Sequence, residues 1–215
     1  VRRLVNRIFA IGDIHGCYDP LVRLLERIPI DWSRDRLVFM GDYIDRGAES
    51  FEVVQHLIEL QERHPDTVFL KGNHEQMLAD YLSGRDRMTY LYNGGQQTLD
   101  SYLRKASTPG RYPIPEAHLR FFESLRLMFE TENYIFVHAG LRKGLPLERQ
   151  RPEDLLWIRE HFIDSRHAFG KRVVFGHTPF DEPRVEPNKI GIDTGAVYGN
   201  KLTCVQLPEE EFYFA

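Results

Sequence analysis

The chain has 215 residues, of which 42% are hydrophobic and 28% are charged, a composition typical of a soluble globular protein. The formal net charge of -4 argues against a general affinity for nucleic acid or anionic membranes, because both require a basic surface. No apolar run reaches the ~20 residues that cross a bilayer, and residues 1–6 lack the apolar core of a signal peptide. We therefore expect a cytoplasmic protein that forms a single domain over residues 1–215, with no nucleic-acid or membrane partner.

Short apolar, β-branched runs recur along the chain and predict buried strands. They lie at residues 8–11, 37–40, 68–70, 135–137, 173–175 and 190–192. Between the first three runs, apolar residues recur with helical spacing at residues 21–28 and 51–61. This β-α-β-α-β order favours a parallel sheet covered by helices.

The middle of the chain has a different pattern, from about residue 77 to residue 126. Helix-like stretches alternate there with turn signals at residues 93–95 and 108–110, which predicts a helical insertion. Residues 201–207 and 212–214 then predict a closing antiparallel strand pair. We expect an α/β fold of two sheets with flanking helices rather than one continuous Rossmann sheet.

Side chains that can bind metal ions follow nearly every predicted strand. They are Asp13, His15, Asp42, Asn73, His138 and His177. In open α/β sheets, ligands bind beyond the carboxyl ends of the strands, so these groups are expected to converge. Imidazole and carboxylate suit Mn, Fe or Zn, and one carboxylate can bridge two ions. We expect one ion to be held by Asp13, His15 and Asp42, and a second by Asp42, Asn73, His138 and His177.

A dinuclear centre of this composition predicts a phosphate substrate. Two divalent cations outweigh the charges of two carboxylates and a bridging hydroxide, so the centre attracts an anion. Two metals also stabilise the incoming and leaving oxygens of an in-line displacement and lower the pKa of the bridging water. The expected chemistry is therefore direct attack of a metal-bridging hydroxide on phosphorus.

Five sequence blocks resemble the signature of a known family. They are GDIHG at 12–16, GDYIDRG at 41–47, GNHE at 72–75, VHAG at 137–140 and FGHTP at 175–179. Together they are similar to the phosphoprotein phosphatase family of metallophosphoesterases, and the sequence LLWIR at 155–159 resembles its bacterial and phage members. The resemblance implies a single calcineurin-like domain, folded as a β-sandwich of two mixed sheets flanked by helices.

The resemblance also implies roles for four further residues. His74 would be the general acid that protonates the leaving oxygen, with Asp45 hydrogen-bonded to it. Arg46 and Arg159 would hold the phosphoryl oxygens. Manganese is the expected metal, with iron or zinc as alternatives, and no dedicated regulatory subunit is implied.

Three hypotheses for function follow from this resemblance. The first is a serine/threonine protein phosphatase that acts on phosphorylated proteins or peptides. The alternative is asymmetric hydrolysis of bis(5'-nucleosyl) tetraphosphates, an activity of relatives that share the first three blocks. The third is a binding module that has lost catalysis, against which the intact His74 and Asp45 argue.

Several other residues are expected to have structural or surface positions. Cys17 and Cys204 are too few for a disulfide framework and are expected to be reduced. Trp157 is expected in the core, Glu75 is expected to cap a helix, and Asp193 could line the pocket or form a tight turn. No role is assigned to five histidines, which are expected at the surface: His56, His64, His118, His161 and His167.

Overall fold

The computed structural model describes residues 7–106 and 114–215. The expectation for residues 1–6 and the turn signal at 108–110 lie outside the described residues. Within the described ranges, both cysteines are free thiols, as the sequence predicts.

Ten strands in the described part of the chain form two mixed five-stranded sheets. The strands are β1 (Ile8–Ile11), β2 (Arg36–Phe39), β3 (Val68–Phe69), β4 (Met128–Glu130), β5 (Tyr134–Val137), β6 (Arg172–Phe175), β7 (Arg184–Glu186), β8 (Lys189–Gly191), β9 (Thr203–Leu207) and β10 (Glu211–Phe214). The first sheet has the order β10-β9-β1-β2-β3, and the second has the order β4-β5-β6-β8-β7. The central pairs β1–β2 and β5–β6 are parallel, whereas β1–β9 and β4–β5 are antiparallel.

Eight α-helices are present in the described ranges, and most lie between β3 and β4 or follow a parallel strand. They are α1 (Tyr18–Arg27), α2 (Ser50–Arg63), α3 (Asn73–Leu82), α4 (Arg87–Tyr90), α5 (Gln96–Arg104), α6 (Glu116–Ser124), α7 (Pro152–Trp157) and α8 (Glu160–Ile163). A π-helical turn at Leu91–Gly95 joins α4 to α5. Among the described residues, every helix is too short or too polar to span a membrane.

The core consists of three apolar layers, which follow from the two-residue period of the strands. Phe9 and Ile11 pack with the helices on the outer face of the first sheet, whereas Ala10 between them faces the second sheet. Phe136 and Val174 extend the layer between the sheets, and Val137 lies in the third layer against α7 and α8. The result is a β-sandwich flanked by helices, so the predicted fold class is confirmed.

Two strands and one histidine differ from the sequence-based expectations. The pattern did not predict β4 and β7, because these three-residue edge strands have only partly buried or exposed side chains and each ends in a charged residue. His118 is buried, so its predicted surface position is wrong. Its Nδ1 lies 2.8 Å from the Tyr102 hydroxyl and its Nε2 lies 3.0 Å from Gln55 Oε1, so polar partners offset the cost of burial.

Candidate metal centre

The site lies beyond the ends of β1, β2, β3, β5 and β6, and the backbone turns sharply after β1, β2 and β6. Five site residues have a positive φ, namely His15 (48°), Asp42 (53°), Asp45 (73°), Arg46 (67°) and His177 (65°). In the described ranges, Glu210 is the only other non-glycine residue with this conformation. Such a backbone costs on the order of 1–3 kcal/mol per residue and persists only where the surroundings enforce it.

Asp42 is the centre of the site, because its two carboxylate oxygens face different histidines. Oδ2 lies 3.4 Å from His15 Nε2, and Oδ1 lies 3.4 Å from His138 Nε2. Oδ1 also accepts the backbone N–H of His74 at 3.0 Å, which fixes the carboxylate plane. A carboxylate held in this way can bridge two cations.

Two groups of buried ligand atoms share Asp42, each with its atoms within 4.8 Å of one another. One group is His15, Asp42 and His74, and the other is Asp42, His138 and His177. Asn73 joins the second group, because its Oδ1 lies 2.9 Å from His138 Nε2 and 2.8 Å from His177 Nδ1. The structure thus brings together all four residues of the predicted second ligand set.

In the predicted first ligand set, His15 and Asp42 lie together, but Asp13 is not part of their compact group. His74 is the third member of that group. Asp13 Oδ2 accepts the backbone N–H of His177 at 2.9 Å. Asp13 Oδ1 is buried and has no hydrogen-bond partner. This orphaned oxygen is open to a cation, and the ligand role of Asp13 stays a prediction.

The orientation of the imidazole rings fits a metal centre. His15 Nδ1 donates to Ile44 O and His138 Nδ1 donates to Met40 O, both at 2.9 Å. Each ring therefore directs the lone pair of Nε2 inward, as backbone carbonyls do for metal-binding histidines. Around His138 Nε2, this lone pair meets the oxygens of Asn73 and Asp42 with no proton between them when the ring is neutral. A cation bound between these three atoms would accept their lone pairs and so remove the repulsion among them.

The protonation states of Asp42 and of three histidines, His15, His138 and His177, also suit metal binding, which requires neutral imidazole and ionised carboxylate. Burial lowers the pKa of His15 to about 3 and that of His177 to about 2, and it also lowers the pKa of His138. For Asp42, burial acts to raise the pKa, but the charges of the surrounding histidines, His138 first, outweigh it and hold the pKa well below the usual range. The donor set therefore fits divalent cations.

His74 and Asp45 form a buried hydrogen-bonded pair, with His74 Nδ1 donating to Asp45 Oδ2 at 2.7 Å. Burial acts to lower the pKa of His74, but the charge of Asp42 and the hydrogen bond to Asp45 outweigh it and raise the pKa. The opposite ring nitrogen, Nε2, lies 4.0 Å from Asp42 Oδ2 and so faces the centre. The arrangement favours a protonated ring directed at the site.

Two residues, Thr98 and Glu75, support the site through contacts that the sequence pattern did not predict. Thr98, on α5, donates from its hydroxyl to Asp45 Oδ1 at 2.7 Å and lies within the helical insertion, far from any signature block. Glu75 caps α3 as expected, through the Gly72 N–H. Glu75 also accepts the N–H groups of Asp42 and Tyr43, at 3.0 and 2.8 Å, and so ties the second block to the third.

The two arginines lie at the border of the centre. Arg46 Nη1 is 2.7 Å from His15 Nε2, and the Arg46 backbone N–H donates to Gly94 O at 3.0 Å. Arg159 Nη1 is 3.5 Å from Thr178 Oγ1, which immediately follows His177. Both guanidinium groups are partly buried beside the ligand groups, where a phosphate could reach them.

Trp157 and Asp193 lie beside the site as well. The predicted core position of Trp157 is wrong, because the side chain is 42% exposed and its ring stands edge-on to His177, with centroids 6.3 Å apart. The reason is that α7 ends at Trp157 after burying Leu155 and Leu156. Asp193 accepts the Gly195 N–H at 3.0 Å, which supports the tight turn. Burial raises the pKa of Asp13, and the charge of Asp193 raises that pKa further.

The fold and this site together define a metallophosphoesterase. Residues 6–204 match the sequence model of the calcineurin-like phosphoesterase family, and the chain belongs to this family. The resemblance predicted from the signature blocks is thus confirmed, and the chain is a metal-dependent phosphoesterase whose two His/Asp groups correspond to the dinuclear centre of divalent ions that the family uses.

Two curated relatives of similar length carry the same name. The asymmetrical bis(5'-nucleosyl)-tetraphosphatase PrpE of Geobacillus sp. is 30% identical over 230 residues, which cover 95% of this chain and 92% of the relative. The protein of the same name from Bacillus velezensis is 30% identical, with 94% and 89% covered.

Solved structures of related fold include enzymes with different named activities. A candidate diadenosine tetraphosphatase matches with a TM-score of 0.74 at 22% identity, covering 100% of this chain and 95% of its own. A Saccharomyces cerevisiae protein serine/threonine phosphatase matches with a TM-score of 0.68 at 19% identity, covering 96% of this chain and 73% of its own. These two matches show the shared fold.

Proposed function

We propose that this chain hydrolyses dinucleotide tetraphosphates asymmetrically. Water adds to one phosphorus, one P–O–P anhydride bond breaks, and the products are a nucleoside triphosphate and a nucleoside monophosphate. The supporting observation is the similarity along 95% of the chain to a relative named for this reaction, together with the Asp42-centred ligand groups. The order of the sequence-based hypotheses therefore changes, because the relatives favour the alternative over the protein phosphatase.

The proposed ligand sets are those predicted from the sequence. Asp13, His15 and Asp42 would hold one divalent ion, and Asp42, Asn73, His138 and His177 the other. Manganese is the proposed metal, since nitrogen and oxygen donors without thiolate suit it. When bound, two such ions lower the pKa of a coordinated water and offset charge on the phosphoryl oxygens.

The remaining residues would bind the phosphates and move one proton. Arg46 and Arg159 bind phosphoryl oxygens, for which a planar guanidinium is well suited. His74 donates its Nε2 proton to the leaving phosphate oxygen, while its Nδ1–H stays bonded to Asp45 over 2.7 Å. Asp45 keeps the ring in the orientation and charge state that this transfer needs.

Phosphoserine or phosphothreonine hydrolysis is the second candidate function. It is supported by the His74–Asp45 pair and the two arginines. In the proposed roles these residues would meet only the phosphoryl group and its leaving oxygen, so they would serve a monoester too. A phosphorylated protein or peptide would then be the partner, without a regulatory subunit. A non-catalytic module is less well supported, because His74 and Asp45 are joined and directed at the centre.

One comparison separates these candidates. The protein is stripped of metal, reloaded with Mn²⁺, and given diadenosine tetraphosphate or a phosphoserine peptide at equal concentrations, with the His74→Asn variant as a control. We expect equal amounts of ATP and AMP by anion-exchange chromatography, and turnover on the order of 100-fold lower in the variant. Phosphate release from the peptide with the dinucleotide left intact would overturn the proposal and favour the second candidate.

A further inference from the structure

The most exposed aromatic side chains of the described residues lie around the metal centre. In residues 7–106 and 114–215, three aromatic side chains are more than two-fifths exposed: Tyr92 at 92%, Tyr198 at 63% and Trp157 at 42%. Tyr92 lies in the π-helical turn whose Gly94 oxygen accepts the Arg46 N–H. Exposed apolar patches that are rimmed by polar groups mark ligand-binding surfaces.

Trp157 and Tyr198 are connected to different ligand groups. The Trp157 ring is perpendicular to the ring of His177, which belongs to the group with His138. Tyr198 has the Arg46 guanidinium carbon 5.7 Å from its ring centroid, and Arg46 in turn contacts His15 of the other group. A ligand bound at the shared Asp42 would therefore lie near both aromatic rings.

The local backbone directs both rings to solvent. Trp157 ends α7, whose preceding Leu155 and Leu156 fill the core. Tyr198 ends a one-turn 3-10 helix that follows Gly195, whose φ of 69° is in the left-handed region. A Cβ at Gly195 would lie 3.4 Å from Tyr198 Cδ2, so the turn lies close to one edge of this ring.

Each ring is also close in space or in sequence to a phosphate-binding cation. Arg46 lies over Tyr198, and Arg159 follows Trp157 by two residues. A nucleotide presents the complementary pair of features, a flat base joined through ribose to a phosphate. Bases stack on aromatic faces with little regard to sequence, and cations beside those faces bind the phosphates.

We infer that Trp157 and Tyr198 form two base-stacking subsites, one connected to each ligand group of the metal centre, and that the ligand is a dinucleotide polyphosphate with one base on each ring. The inference rests on the proposed function and deepens it. A phosphopeptide has no flat base next to its phosphate, so it would leave at least one of the rings unoccupied.

The first test measures binding without turnover. The chain has two tryptophans, and Trp32 stacks on His64 with ring centroids 3.8 Å apart. In the Trp32→Phe variant, Trp157 is the only tryptophan, so tryptophan fluorescence reports on it alone. In one Mn²⁺ buffer, we expect ADP and a methylene-bridged dinucleotide tetraphosphate to quench its emission, and inorganic tripolyphosphate to leave it unchanged. Equal quenching by tripolyphosphate, or none by either nucleotide, would overturn the assignment of Trp157.

The second test separates the bases from the phosphates. In Trp157→Ala and in Tyr198→Ala, we expect the KM for diadenosine tetraphosphate to rise roughly 5- to 100-fold, the range for loss of one base–aromatic stack. The inhibition constant of tripolyphosphate should stay unchanged. Trp157→Phe and Tyr198→Phe retain a ring face, so their KM should lie close to the wild-type value. Trp32→Phe is the matched control.

The other outcomes identify what else the rings do. A parallel rise in the tripolyphosphate inhibition constant would mean that the rings only shape the phosphate site. A loss confined to phosphoserine peptide turnover would assign them to a peptide subsite. If the wild-type protein leaves the dinucleotide intact, the proposed function fails, whereas base-dependent quenching of Trp157 would still support a nucleotide subsite.

Discussion

Thr98 Oγ1 donates a hydrogen bond to Asp45 Oδ1 at 2.7 Å, and the same hydroxyl accepts the Asp45 backbone N–H at 2.8 Å. The other carboxylate oxygen of Asp45 bonds to His74. One side chain of α5 therefore holds both the backbone and the side chain of the residue that orients the proposed acid. This contact connects the helical segment after β3 to the chemistry of the site.

Substitution at Thr98 tests that connection. Thr98→Val keeps the shape but leaves the buried Asp45 groups without this partner, so we expect kcat to fall about 10-fold and stability to fall by about 1–3 kcal/mol. Thr98→Ser keeps the hydroxyl and is the matched control, expected within about 2-fold of wild type. Steady-state kinetics and urea unfolding measure both. An unchanged kcat in Thr98→Val would remove the residue from catalysis.

The pH dependence tests the role of Asp45 itself. A general acid must be protonated, so the rate falls as the pH rises through the His74 pKa. The charge of Asp42 and the hydrogen bond and charge of Asp45 raise that pKa against burial. Asp45→Asn removes one of these charges and should move the basic limb of the kcat/KM profile to lower pH. If the limb stays at the same pH in Asp45→Asn, it belongs to another group.

Gly72 offers a test of the shared ligand that leaves the ligands themselves in place. A Cβ at Gly72 would lie 2.0 Å from Asp42 Oδ1, so Gly72→Ala must displace the carboxylate that faces both groups. We expect bound manganese, measured by elemental analysis after gel filtration, to fall from about two ions per chain toward none. Gly84→Ala is the control for a general loss of stability, because its φ of 75° strains the alanine backbone while its Cβ meets no atom within 4 Å. Full manganese content in Gly72→Ala would contradict the bridging role of Asp42.

His118 predicts an acid-sensitive contribution to stability. Burial lowers its pKa from 6.5 to about 4 in the folded chain, so between these values the unfolded chain binds more protons. This contribution is therefore fully present above pH 6.5 and is lost as the pH falls toward 4. In metal-free protein, the melting temperature should decrease less steeply in His118→Gln than in wild type as the pH falls from 6.5 to about 4. An identical slope in wild type and variant would contradict the prediction.

The sequence predicted the sheets and the ligand blocks because both depend on local patterns. Buried strands give apolar runs, and the side chains after them stay close to the strand ends whatever happens elsewhere. The roles of Thr98 and Trp157 were not predictable in this way. Thr98 reaches Asp45 only when α5 packs against the second block, and the exposure of Trp157 depends on where α7 ends. His118 was misjudged because its buried partners come from two other helices.

The left-handed backbone at five site residues has a consequence for protein engineering. Glycine relieves this conformation at the partly buried Arg46, so Arg46→Gly should cost the metal-free chain little heat resistance while weakening its proposed activity. A screen that selects only for survival on heating would thus retain poorly active sequences. Directed evolution of this scaffold needs a selection for turnover in every round.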